Sequence, residues 1–197
     1  MRRAGFVTSS VAIAVGVGAF CASFLSCADP VLSDAVTALG AETAGVEKGQ
    51  YHRAGQPCGL CHQEGGPASS SPFSISGTIF AQPLRQVGVE GVEIRMTDAE
   101  RTTHIAKTNC VGNFMVKPEE WSPKFPILVE IGKGNVRRSM RSAIGREKSC
   151  SGCHSTELEV PDPLSRVGHV YLYATDEPGS PEGTPDCPVD PKRPGTP

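Results

Sequence analysis

Between residues 73 and 140 apolar side chains recur at every second position, in runs too short for helices, and this period of two is what most restricts the fold. "FSISGTIF" at 73–80 alternates Phe73, Ile75, Gly77 and Ile79, and "VEIRM" alternates Val92, Ile94 and Met96. "RTTHIAKT" gives a polar strand carrying Ile105. "GNFMV" at 112–116, "PILVEI" at 126–131 and "NVRRSM" at 135–140 extend the series, and "HVYLYA" at 169–174 reads as a final strand. The segments 126–131 and 135–140 are expected to pair as a hairpin across Gly132-Lys133-Gly134. Pro118-Glu119-Glu120-Trp121 should make one helical turn that lays Trp121 over an end of the core. With 22 Gly and 17 Pro in 197 residues the chain is rich in turns, and 38% hydrophobic residues suffice for one core. Six or seven short strands at this spacing predict a mainly β fold, an antiparallel β-sandwich.

The two ends differ from this middle. Arg2 and Arg3, the apolar run at 11–25 and the small residues after it have the layout of a secretory signal over 1–26, and the run is too short for a comfortable transmembrane helix. Asp29-Pro30 reads as an N-cap followed by proline at the first helical position. Gly40 can close the short helix that contains Val31, Val36 and Leu39. The expected organisation is then an N-terminal segment over 27–72, the sandwich over 73–141, a second loop-rich segment with the final strand over 142–174, and a disordered Pro- and Gly-rich tail over 175–197. A formal charge of -2 with no basic face predicts no nucleic-acid partner.

"FLSC" resembles a bacterial lipobox, with Cys27 as the lipidated first residue, although Phe24 stands where leucine is usual. The resemblance implies a lipoprotein held at a membrane surface by its anchor, in the periplasm or at the outer membrane or cell surface. Ordinary cleavage after Ala28 is the alternative. Of the eight cysteines, Cys21 lies in the signal and Cys27 in the lipobox. Four more form two Cys-x-x-Cys pairs, leaving Cys110 and Cys187. A disulfide is the simplest use of these two in an oxidising compartment, with two unpaired thiols as the alternative.

Over about residues 73–131 the chain resembles the carboxypeptidase regulatory-like, prealbumin-like β-sandwich modules. The likeness is carried by Gly91, Val92 and Ile94 after a short loop, the turn at Asp98, and Thr108, Gly112 and Phe114 in the T-x-x-x-G-x-F run. It implies an Ig-like or prealbumin-like sandwich that serves as a spacer or binding scaffold, so that chemistry belongs outside it.

That chemistry points to two matching clusters, Cys58, Cys61 and His62 in "QPCGLCHQE" and Cys150, Cys153 and His154 in "KSCSGCHST". A histidine after both pairs by chance has odds on the order of one in 1,500. Cys-x-x-Cys-His resembles the attachment site of c-type cytochromes. Two thiols one tight turn apart can form thioethers to one haem, and the histidine that follows can reach its iron. The resemblance implies two covalently attached haems c. Cys58 and Cys61 would anchor one with His62 on its iron, and Cys150 and Cys153 the other with His154.

Candidates for the opposite side of each iron are His52, His104, His169, Met96, Met115 and Met140. Met96 reads as core, Met115 and Met140 as strand packing, and His104 as an exposed strand residue. His52 sits in a flexible stretch, and His169 shares an outward strand face with Tyr171 and Tyr173. These two are the preferred ligands, and bis-histidine ligation would imply electron transfer with redox partners in the cell envelope. Arg137, Arg138 and Arg141 could meet haem propionates or an acidic partner, or form a solvated basic strand.

Three other readings stay open. A peroxidase would need one iron with a vacant position and acid–base groups beside it. A non-catalytic envelope binding module would hold a structural zinc, an iron–sulfur centre or disulfides at the cysteine pairs. A thioredoxin-type dithiol would need a βαβ context that the sequence lacks.

Overall fold

The computed structural model describes residues 29–42, 46, 48–83, 85–154, 168–173 and 187. The signal over 1–26, Cys27 and the tail apart from Cys187 lie outside these residues. Among the described residues no helix is long and apolar enough to cross a membrane.

The fold is mainly β, with two sheets packed face to face and, among the described residues, a single α-helix. In the first sheet β1 (Ile75–Gln82) pairs antiparallel with β2 (Arg85–Gly88) and β5 (Asn113–Val116). In the second, β3 (Glu93–Thr97), β4 (Thr103–Lys107), β6 (Leu128–Lys133) and β7 (Val136–Ser139) follow the order β4-β3-β6-β7, all antiparallel. Ile75, Ile79, Ile94, Met96, Phe114, Val116, Ile127 and Leu172 fill the space between the sheets. Trp121 covers one end of this core, and His104 stacks on it with ring centroids 5.3 Å apart.

Local chemistry explains the turns. Asp98, buried after β3, accepts from the backbone N–H groups of Glu100 and Thr102 through Oδ1 and from Lys124 N through Oδ2. That Asx arrangement closes the β3–β4 turn and ties it to the approach to β6. The Thr108 hydroxyl donates to the Val89 carbonyl and accepts from Val92 N. Gly112 has φ +82° and leaves no room for a Cβ beside the Ile79 carbonyl, so only glycine suits that position. At the N-terminus, α1 (Pro30–Ala38) starts on Asp29, whose Oδ1 accepts from Val31 N and Leu32 N.

Several expectations need correction. The hairpin between β6 and β7 turns at Gly134-Asn135, because Lys133 pairs with Val136. Gly132 is a strand residue, and a side chain there would collide with Arg137. Arg85–Gly88 forms a strand that the alternation did not single out. The final strand β8 (Val170–Tyr171) is only two residues long and runs parallel to β1, whereas the other strand pairs among the described residues are antiparallel. Phe73 precedes β1, and all eight residues of β1 are buried, so its alternation does not separate core from solvent. The face opposite the core is covered by the segment before the first cysteine pair: Gly55 N donates to Thr78 Oγ1 at 2.8 Å, and Gly55 packs against the Phe80 ring.

Candidate functional site

The two Cys-x-x-Cys-His segments, 92 positions apart, fold alike. Cys58–Leu60 and Cys150–Gly152 are each a single 3-10 turn. Cys61 N and His62 N both donate to the Cys58 carbonyl, at 3.1 and 2.9 Å, and Cys153 N and His154 N both donate to the Cys150 carbonyl, at 3.2 and 2.8 Å. Each pair of sulfurs is therefore carried on one tight turn, with the histidine at its exit.

The histidines are oriented alike too. His62 Nδ1 lies 2.6 Å from the Ser71 carbonyl oxygen, and His154 Nδ1 lies 3.0 Å from the Gly168 carbonyl oxygen. A carbonyl oxygen can only accept, so Nδ1 is the donor in both rings, and the lone pair of the neutral imidazole falls on Nε2. This is how a metal-ligating histidine is held by its surroundings. Phe73 stacks on His62 at 4.1 Å, and the 63–72 loop folds back so that Ala68 N reaches the Cys61 carbonyl and Phe73 N the His62 carbonyl.

Tertiary folding brings the two turns together on one edge of β1. Ser76 N donates to the Lys148 carbonyl, and Ser149 bridges to Ser76 in parallel fashion. A Cβ built on Gly59, inside the first motif, would lie 3.2 Å from Ser149 Cβ and 3.9 Å from Glu147 Oε1. The Glu147 carboxylate accepts from Ser149 N at 2.8 Å and occupies the space where a side chain at Gly152 would go. Small residues within both pairs are what allow this approach. Between the turns opens a cleft of about 330 Å³, lined by Leu60, His62 and Phe73 on one side and by Arg146, Lys148 and Gly152 on the other.

Burial sets the state of the thiols. Some of Cys150 reaches solvent, but its sulfur lies against Gly77 beside Phe114. Its thiol is pushed up to about 12, first by burial and then by the nearby Cys58 and Glu147. Burial raises the Cys58 thiol as well, against a smaller opposing effect of the Ser76 hydroxyl. Burial also raises Cys61, whereas Cys153 is exposed. Protonated thiols are the opposite of what a thioredoxin-type dithiol requires.

The remaining candidates separate clearly. His52 is half-buried with its ring centroid 6.0 Å from that of His62, and burial lowers its pKa. His169 does not face outward as expected. It is buried, with Phe80 at 4.9 Å and Tyr171 at 6.4 Å between ring centroids, because Gly55 of the covering segment closes over it. His104 belongs to the Trp121 stack rather than to this edge. Met96 is fully buried in the core, and Met115 and Met140 are half-buried. The exposed Arg137 and Arg138 use their guanidinium groups on backbone carbonyls, Arg137 on Gly134 and Val136 and Arg138 on Tyr171. Arg141 is exposed. The cations at the cleft are Arg146 and Lys148, which the sequence pattern did not single out because a charged pair in a loop has no period.

Cys110 and Cys187 are joined in a disulfide with Cα atoms 5.4 Å apart, packed with Val111 against Tyr51 and Ala54. Among the described residues no three His, Cys, Asp or Glu side chains are grouped as a preformed metal site. No protein family, curated protein or solved structure matches the chain.

Proposed function

We propose that the chain is an exported dihaem c-type cytochrome that transfers electrons. Lipid at Cys27 anchors it to a membrane of the cell envelope, and its partners are redox proteins there. The observation that carries this reading is the doubled geometry. Two identical turns each present a cysteine pair and a histidine whose Nδ1 is occupied by a carbonyl, leaving Nε2 for a metal.

The residues present fit the group. Cys58 and Cys61 would hold one haem with His62 on the iron, and Cys150 and Cys153 the other with His154. Attachment at the second motif requires the Cys150 sulfur to turn from Gly77 towards the cleft. Of the proposed ligands and anchors His62 lines the cleft between the motifs, beside Leu60 and Phe73, while the four cysteines and His154 stand outside its lining. Arg146 and Lys148 supply positive charge for acidic groups at its rim.

Haem held by these residues would supply one-electron transfer. The protein's part is to fix the histidines and bring the two motifs into contact. The β-sandwich is the rigid frame for both turns, and direct packing of Gly59 on Ser149 keeps the two centres adjacent.

The test is a pyridine haemochrome assay with intact mass on protein made in a host that matures c-type cytochromes. Two haems per chain are expected, with Cys61→Ala losing one and Cys153→Ala the other. Zinc without covalent haem would refute the proposal and leave an envelope binding module with a structural metal.

A further inference from the structure

We infer that His52 is the second axial ligand of the iron at the first motif, oriented for that role by Glu42. The inference rests on the dihaem reading and assigns a ligand that the cysteine motifs do not specify. The segment around His52 looks flexible in sequence, yet the fold pins it down. Asn113 Nδ2 donates to the carbonyls of His52 at 3.0 Å and Gln50 at 3.3 Å, and Asn109 Nδ2 donates to Gln50 at 2.7 Å. Gly55 N is held by Thr78 at 2.8 Å. These four bonds fasten the segment to β1, to β5 and to the turn that leads into β5.

The result is a histidine pair. The His52 and His62 rings stand 6.0 Å apart with 56° between their planes. Two imidazoles on opposite sides of one metal ion, at about 2.0–2.1 Å per nitrogen, have centroids roughly 6–6.5 Å apart, whereas neighbouring ligands of a tetrahedral ion have them about 5 Å apart. His62 has only Nε2 to give, since Ser71 occupies Nδ1.

Two orphaned atoms complete the argument. His52 Nδ1 and Glu42 Oε2 are both buried without a hydrogen-bond partner, which is uncommon for buried polar atoms. Glu42 is not free to leave: its Oε1 is held by Arg53 Nε at 3.0 Å, and Arg53 is itself fixed on the carbonyls of Leu39 and Gly40 at the end of α1. The Glu42 charge acts on His52. A carboxylate behind a ligating imidazole steadies the ring and strengthens it as a donor. His52 would then ligate through Nε2, with Nδ1–H turned to Glu42.

The experiment uses the haem-loaded protein and reads spin state by electron paramagnetic resonance and optical spectroscopy. His52→Ala should keep both covalent haems by mass but convert one of the two irons from low to high spin, and added imidazole should restore it. His52→Met should return that iron to six-coordination at a higher reduction potential. Glu42→Gln should leave both irons low-spin and raise the potential of one. Two low-spin irons unchanged in His52→Ala would overturn the assignment while leaving the dihaem reading intact, as would high-spin iron that imidazole does not rescue. A wild-type protein without covalent haem would instead overturn the reading beneath it.

Discussion

Gly77→Ala tests whether the second motif is built into the sandwich. Gly77 lies in the middle of β1, and its side-chain space is taken by Cys150. A Cβ added there would fall 2.7 Å from Cys150 Cβ, 2.8 Å from its Sγ and 3.0 Å from Phe114 Cε1. Comfortable carbon contacts are about 3.5–4.0 Å, so the added methyl must push the motif away from the sheet edge. Overpacking of this kind costs about 1–3 kcal/mol. Replacing a strand glycine with alanine ordinarily returns about 0.5–1 kcal/mol. The expected net effect is a loss of up to about 2.5 kcal/mol, read as a lower urea midpoint for the haem-free chain with its disulfide intact. Cys150→Ala removes the sulfur but not the Cβ, so the double variant should recover part of the loss, with a coupling of about 0.5 kcal/mol or more. In the haem-carrying protein, Gly77→Ala should lower occupancy at Cys150 and Cys153 more than at Cys58 and Cys61. A Gly77→Ala chain that is more stable than wild type and additive with Cys150→Ala would mean that Cys150 does not pack on β1.

Other outcomes follow from the cysteines. The Cys110–Cys187 bridge spans 77 positions, and closing a loop of that length is worth about 4.5 kcal/mol in the chain-entropy account. Cys110→Ala or reduction should therefore lower unfolding free energy by about 2–5 kcal/mol, whereas unchanged stability would mean that the tail is not tethered. In the haem-free chain, mass spectrometry of iodoacetamide labelling should find exposed Cys153 modified first. Cys150, with its thiol at about 12 against an ordinary 9.0, carries about 1000-fold less thiolate near neutral pH and should label mainly through unfolding. The same shift has a sign for stability. Above pH 9 the unfolded chain releases the Cys150 proton while the folded chain keeps it, so stability falls by about 1.4 kcal/mol per unit between pH 9 and 12. Below pH 9 this contribution is fully present, and Cys150→Ala should show a shallower alkaline decline in urea midpoints.

Much of the scaffold was legible in single residues. Val92, Ile94 and Met96 alternate into the core, and Asp29 caps α1 ahead of Pro30. Each of these is a local rule, in which side-chain chemistry decides the conformation of its own neighbourhood. The reading of His169 shows where such rules stop. Period two correctly sends Leu172 into the core and His169 to the opposite face of its segment, but it cannot say that the 49–56 segment covers that face. β1 fails for the same reason, since its second face is buried by residues some twenty positions earlier.

By itself the sequence determined the alphabet of the site: two cysteine pairs, each followed by a histidine, and a strand-rich frame between them. The tertiary structure decided their relation. The second turn packs on Ser76 and Gly77 and the first on Ser149, His62 and His154 are aimed by the carbonyls of Ser71 and Gly168, and His52 arrives beside His62 through hydrogen bonds donated by Asn109 and Asn113 and one accepted by Thr78. The physical reason is that the orienting acceptors are backbone carbonyls, which every residue has and none advertises. The register that delivers them depends on pairing between strands and loops far apart in the chain.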